Sequence, residues 1–241
     1  MFDTVKNNQG ERLDCSYQQA DPQAPSEWLY VLGHGVTGNK DRPIIVESAA
    51  ALNAAGFDTL AFSFSGNGDS EGRFEDSNVS KEVEDLGSVL DAIGDRKIAY
   101  LGHSMGGAVG VLRAANDPRI QRLVSLAGMV DTKKFALTEF GDETPDQGLM
   151  WDEESYPLSQ AFMTDLCETV GSVIEAAKRV SIPWLLLHGT EDDVVLIEDS
   201  ESIAALSKEE VTFKKIEGAD HSFDGAREVA TQALTNWALK V

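Results

Sequence analysis

The stretch from Lys97 to Ala115 constrains the chain most. Lys97 leads into Ile98-Ala99-Tyr100-Leu101, an apolar run rich in strand formers, Gly102-His103-Ser104-Met105-Gly106-Gly107 follows, and Ala108 to Ala115 reads as a helix. Strand, Gly-X-Ser-X-Gly and helix in immediate succession predict a sharp turn that lifts one serine above the strand ends. Glycines at 102 and 106 leave room where side chains would collide with the strand and the incoming helix. Ser104 is thereby the candidate nucleophile, held beside the N-terminal amides of the helix that follows.

The flanking sequence extends the alternation. Trp28-Leu29-Tyr30-Val31-Leu32 and Trp184-Leu185-Leu186-Leu187-His188 are continuous apolar runs, suited to strands covered on both faces. Strands at 58–64 and 122–127 and helices at 44–55 and 79–93 complete a β-α-β-α-β-α-β order, the pattern of a mostly parallel doubly wound sheet. Thr4-Val5-Lys6 and Arg12 to Tyr17 predict an N-terminal β-hairpin turning at Asn8–Gly10, ahead of a loop with Pro22 and Pro25. The whole sheet is expected to hold about eight strands. A helix at 197–206, a strand at 210–216 and a closing helix at 226–239, with Val229, Ala233 and Trp237 as its apolar stripe, end the chain. Between about 131 and 180 the rhythm breaks. Only Thr164 to Val180 reads there as a clear helix, and the segment is too short for a core of its own. The expected organisation is a single domain, 1–241, with a cap insertion at about 131–180 lying over the strand ends.

Charge narrows the partners. Lys+Arg 20 against Asp+Glu 41 gives a formal net charge of -21. Such a surface repels phosphate backbones and anionic headgroups, so neither nucleic acid nor membrane is an expected partner. By the same reasoning an acidic cap disfavours strongly anionic substrates. Cys15 and Cys167, far apart, do not suggest a disulfide framework. Residues 1–15 are polar, without the apolar stretch of a secretory leader, and no run approaches the roughly 18–20 apolar residues of a membrane span. A soluble, cytoplasmic protein, monomeric or homodimeric, is expected.

A serine hydroxyl needs a base within hydrogen-bond reach. Of the four histidines, His103 adjoins Ser104 but should diverge from it, His188 ends a buried strand, and His34 is placed to brace its own loop. His221, in Gly218-Ala219-Asp220-His221-Ser222-Phe223 just past the last strand, is the candidate base. A base of this kind is oriented by a carboxylate. Glu191-Asp192-Asp193, directly after a strand, offers three acids, of which Asp192 is favoured and Asp193 is the alternative. Two backbone amides are candidates for an oxyanion hole. One is that of Met105 after the nucleophile. The other is that of Val36 in Gly33-His34-Gly35-Val36-Thr37-Gly38, with Gly35 as the near alternative. His103, Trp151, Tyr156 and Phe162 are candidate substrate contacts. The cap aromatics, Phe135 and Phe140 included, suit an apolar or aromatic group equally with gluing the cap to the body.

With these residues in view, the chain resembles the α/β-hydrolase superfamily along nearly its whole length, through His34-Gly35, Gly66-Asn67-Gly68-Asp69-Ser70, Gly102–Gly107, Gly189–Val195 and Asp220-His221. Gly35-Val36-Thr37-Gly38-Asn39-Lys40 and Gly68 to Glu75 are similar to bacterial cinnamoyl/feruloyl esterases and related small carboxylesterases, which also carry an inserted cap. The chain departs from them at Ser63, where Asp is common, and at Gly66-Asn67-Gly68, where Gly-His-Gly is common. The resemblance implies an α/β-hydrolase fold and cleavage of a small-molecule carboxylic ester through an acyl-enzyme, with no metal and no cofactor. Alternatives are a thioesterase, peptidase or acyltransferase running the same triad, or a non-catalytic binding protein on this fold.

Overall fold

The computed structural model describes residues 5–21, 23 and 26–241. Thr4, Pro22 and Pro25, to which hairpin and loop were assigned, lie outside the described residues. Alternation in the apolar runs explains the architecture. Strands β1 (Cys15–Gln18), β2 (Trp28–Gly33), β3 (Asp58–Phe62), β4 (Lys97–His103), β5 (Ile120–Leu126), β6 (Trp184–Gly189) and β7 (Val211–Ile216) form one seven-stranded sheet in the order β1-β3-β2-β4-β5-β6-β7. β1 runs antiparallel to β3, and every other pairing is parallel. The first hairpin arm contributes a single antiparallel bridge, Lys6 to Arg12, rather than a strand of the sheet. Polar Asn7 turns inward there, its Nδ2 donating to Asp85 Oδ1 at 2.8 Å.

Successive side chains of each central strand enter two different cores. Leu29, Val31, Ile98, Tyr100, Trp184 and Leu186 point to one face, and Tyr30, Leu32, Ala99, Leu101, Leu185 and Leu187 to the other. The first face is covered by α2 (Val79–Ile93) and α3 (Met105–Ala114). The second is covered by α1 (Pro43–Ala54) and the C-terminal helix at Arg227–Ala238.

The 131–180 segment departs from its expected form. It begins with a helix not foreseen, α4 (Thr132–Phe140), capped by the Asp131 carboxylate accepting from Lys134 N. The helix expected over 164–180 is broken into α5 (Gln160–Thr164), a π-helical segment Asp165–Val170 and a short α6 (Ile174–Ala177). Gly171, at φ 65, ends the π segment, and its carbonyl accepts from Lys133 N instead of continuing a helix. The apolar spacing of Leu166, Val170 and Ile174 was real, but glycine there favours a turn. Phe140, Met150, Leu158, Phe162 and Leu166 of this segment join the same core as the α2 and α3 face. After α7 (Glu198–Ala204), the closing helix α8 (Arg227–Ala238) buries Ala230, Leu234 and Trp237, whereas Val229 is exposed. Of the expected stripe, Trp237 is buried and Ala233 packs against the same core, while Val229 faces outward and Ala230 and Leu234 take the inner positions.

Candidate active site

β4 ends at His103, and Ser104 follows with φ 54 and ψ -123, a left-handed-side conformation that costs a non-glycine residue energy. The turn is held on three sides: Ser104 N donates to Leu126 O at 3.0 Å, and Ser104 O accepts from Gly107 N at 2.8 Å and Met129 N at 3.0 Å. Close backbone approach explains the glycines. A Cβ on Gly102 would stand 2.1 Å from Gly106 O, and one on Gly106 would stand 2.4 Å from His34 O. Gly102→Ala therefore meets rigid backbone, and we expect it to lower stability by about 3 kcal/mol or more. In a chain of this size that is a fall in Tm of roughly 6–12 °C, read by circular dichroism.

Ser104 opens into a cleft of about 330 Å³ that it shares with Gly35, Val36, His103 and His221. Gly35 lies flat against it, since a Cβ there would come within 2.6 Å of Ser104 Cβ. Met105 is the first residue of α3, where the leading amides have no intrahelical partner. Val36 lines the same cleft from the loop after β2, and Met105 opens α3 directly after Ser104.

The histidines separate by what their nitrogens already do. His34 Nδ1 donates to Gly35 O at 2.8 Å while Nε2 accepts from Phe64 N at 3.0 Å. Burial pushes its pKa down to about 4, so it is a neutral brace for the loop that carries Val36. His188 is also buried with both nitrogens engaged. His103 is held neutral, its pKa pushed down to about 3 by burial and by the neighbouring His221. Its Nε2 donates to His221 O at 2.9 Å, which ties the His221 loop to the turn beside Ser104. His221 Nδ1 faces Asp192, at 2.9 Å from Oδ2 and 3.1 Å from Oδ1. Nδ1 therefore carries the hydrogen, and Nε2, on the opposite edge of the ring, keeps its lone pair. Ser104 Oγ and His221 share the cleft without a hydrogen bond between them, an arrangement common before substrate binds.

Of the three acids after β6, Asp192 is buried while Glu191 and Asp193 are exposed. Asp192 Oδ1 also accepts from Val194 N at 3.0 Å and Val195 N at 2.9 Å. Burial alone would raise its pKa, but hydrogen bonds from His188 and His221 outweigh that and hold the carboxyl well below the usual carboxylate range. Gly189 permits the meeting of the two loops, because a Cβ there would lie 2.2 Å from Ala219 O.

Trp151 and Phe135 line the cleft. Tyr156 and Phe162 do not, which corrects their assignment as substrate contacts. Tyr156 stacks against Phe74 with ring centroids 5.1 Å apart, and Phe162 is buried against Phe140 at 6.1 Å. Tyr156 thereby joins the 131–180 segment to the body, and Phe162 packs within that segment and into the core it shares with the sheet. Arg42, Asp224 and Arg227 also line the cleft and were not singled out from sequence. As charged residues near helix starts they carry no pattern that marks a site. Among the described residues no group of three or more His, Cys, Asp or Glu is placed to hold a metal ion, and no helix is long and apolar enough to cross a membrane.

Comparison with known proteins follows the same lines. The human mitochondrial palmitoyl-protein thioesterase ABHD10 is 23% identical over 211 residues, 82% of this chain and 66% of that protein. The chain thus spans just under two thirds of that relative's length. Mouse monoglyceride lipase is 28% identical over 258 residues, 89% of this chain and 81% of that protein. Among solved structures, Est1E from Butyrivibrio proteoclasticus with ferulic acid bound superposes with a TM-score of 0.88 at 24% identity, covering 98% of this chain and 97% of that one. The family model described as alpha/beta hydrolase fold matches residues 31–166. With more than half its length matched and a seven-stranded, mostly parallel sheet carrying the turn at Ser104, the chain belongs to the α/β-hydrolase fold family.

Proposed function

We propose that this protein is a serine hydrolase that cleaves carboxylic esters through an acyl-enzyme, with Ser104 as nucleophile, His221 as base and Asp192 as the carboxylate that orients it. The observation that carries the proposal is the hydrogen bond of His221 Nδ1 to Asp192 Oδ2 at 2.9 Å, in a ring that shares one cleft with Ser104. Ser104 Oγ attacks the ester carbonyl while His221 Nε2 takes its proton, and the imidazolium is stabilised by Asp192. The negative charge that develops on the carbonyl oxygen is met by the amides of Val36 and Met105. Collapse breaks the ester bond, His221 returns the proton to the leaving alkoxide, and the acyl group stays on Ser104. Water deprotonated by His221 then attacks the acyl carbon, and collapse breaks the bond to Ser104 Oγ, which takes the proton back from His221 as the acid leaves.

The 131–180 segment acts in this reading as a cap on a single domain, contributing Phe135 and Trp151 to the cleft. Their rings favour apolar or aromatic acyl groups, as does the likeness to a structure holding ferulic acid. Thioesters are the second reading, supported by the likeness to a palmitoyl-protein thioesterase. A panel of p-nitrophenyl esters of graded chain length, hydroxycinnamate esters and matched thioesters tests the choice. Faster kcat/KM on oxygen esters with aromatic acyl groups is expected, and a preference for thioesters throughout would replace this assignment with the second. Trp151→Ala should raise KM for the aromatic esters roughly 5- to 10-fold and leave kcat within about twofold, because the ring supplies binding that ground state and transition state share.

A further inference from the structure

Asp192 is gripped from two sides. On the cleft side it faces His221. On the sheet side lies His188, fully buried near the end of β6, with Nε2 at 3.2 Å from Asp192 Oδ2 and 2.7 Å from Val195 O. Both of those oxygens can only accept, so His188 Nε2 must carry its hydrogen and share it between them. The other nitrogen, Nδ1, is 2.7 Å from Ser200 Oγ on α7, which sets the plane of the ring. The carboxylate is therefore met by fixed donors at both oxygens. Val194 N and Val195 N hold Oδ1, and the His188 ring holds Oδ2. None of these donors lies on a freely rotating side chain.

A carboxylate held only by its partner histidine could rotate about its Cβ–Cγ bond and lose the in-plane approach of Nδ1. Burial of an ionised group without enough donors is also costly. The His188 N–H answers both needs at Oδ2, the oxygen that His221 Nδ1 also faces. The same bond reaches Val195 O, so the 192–195 turn closes on a rigid strand end rather than on a loop.

We infer that His188 is a positioning residue for the reaction, which holds the Asp192 carboxylate in the orientation that His221 Nδ1 requires. The inference rests on the Ser104–His221–Asp192 reading above. It concerns one nitrogen of His188, and that makes it separable from a general packing role. A glutamine at 188 can present an amide N–H near the place of Nε2, whereas an asparagine reaches only the place of Nδ1, toward Ser200.

The experiment compares His188→Asn and His188→Gln with the parent, using p-nitrophenyl acetate for kinetics and the low-field proton resonance of His221 Nδ1–H in NMR spectra. Matching circular dichroism shows that each is folded. For His188→Asn, kcat should fall on the order of 10-fold or more with KM changed less than about twofold, and the resonance should move upfield or broaden. For His188→Gln, kcat should stay within about threefold of the parent and the resonance should stay in place. Equal behaviour of the folded Asn and Gln variants, or loss of the resonance in folded His188→Gln, would overturn the inference. Ser104→Ala run alongside separates the two levels. If it is inert while Asn and Gln behave alike, only the role of His188 falls. Should it retain turnover, the triad reading falls and the role of His188 with it.

Discussion

Replacing Ser104 with alanine should reduce kcat on activated p-nitrophenyl esters by about a million-fold, to the level that the cleft and its amides supply alone. The effect is large because the deleted atom forms the bond to the acyl carbon, and among the side chains lining the cleft Ser104 alone stands on the turn at the head of α3. His34 and His188 have both nitrogens committed, and His103 gives its Nε2 hydrogen to His221 O. The substitution should leave the fold alone. Alanine meets the same backbone penalty as serine at φ 54, and the hydrogen bonds that hold the turn use Ser104 N and O rather than Oγ. A Tm within about 2 °C of the parent, with turnover gone, is the expected pair of results, since less than about 1 kcal/mol of stability is at stake. Appreciable turnover in the folded variant would remove Ser104 from the mechanism.

The second large effect is expected from Asp192→Asn, and its direction follows from the donors around the side chain. Oδ1 accepts from Val194 N and Val195 N, so the amide oxygen of an asparagine would settle there. Its NH2 would then occupy the Oδ2 position, facing His188 Nε2–H and His221 Nδ1, where two acceptors are required and none is offered. His221 can relieve the clash only by moving its hydrogen to Nε2, which takes away the lone pair that should receive the Ser104 proton. A fall in kcat of about 10,000-fold is expected, with KM little changed. The check is steady-state kinetics on the same ester, with circular dichroism to confirm folding. A loss smaller than about tenfold would mean that the carboxylate does not control the tautomer of His221.

Much of the candidate site was legible because the chemistry proposed for it demands rare local patterns. Gly-X-Ser-X-Gly between a strand and a helix has few other uses, and a histidine just past the last strand is placed at the sheet edge where this architecture puts ligands. The choice among Glu191, Asp192 and Asp193 rested on less, since three consecutive acids look alike in sequence and only burial and the Val194 and Val195 amides separate them. The alternation of strands and helices followed from apolar runs that feed two cores at once, whereas the seven-stranded order of the sheet is visible only in the structure. The 131–180 segment was the least legible part. Its helix at 132–140 is marked mainly by the Asp131 cap, and the periodicity over 164–180 concealed the break at Gly171. Tyr156 and Phe162 illustrate the same limit, because an aromatic that packs against the body and one that lines a cleft have identical local sequence signals. His188 shows the reverse case: an apolar strand suggested simple packing, while its partner lies four residues on and only the loop geometry brings the two together.

The central claim, that Ser104 is an activated nucleophile, is tested most directly by a fluorophosphonate probe followed by intact-mass measurement and peptide mapping. The probe reacts with a serine only where a base and an oxyanion site act on the same hydroxyl. One equivalent bound per chain, mapped to Ser104 and absent from Ser104→Ala, is the expected result. No adduct on the folded protein, or an adduct mapped to another serine, would contradict it.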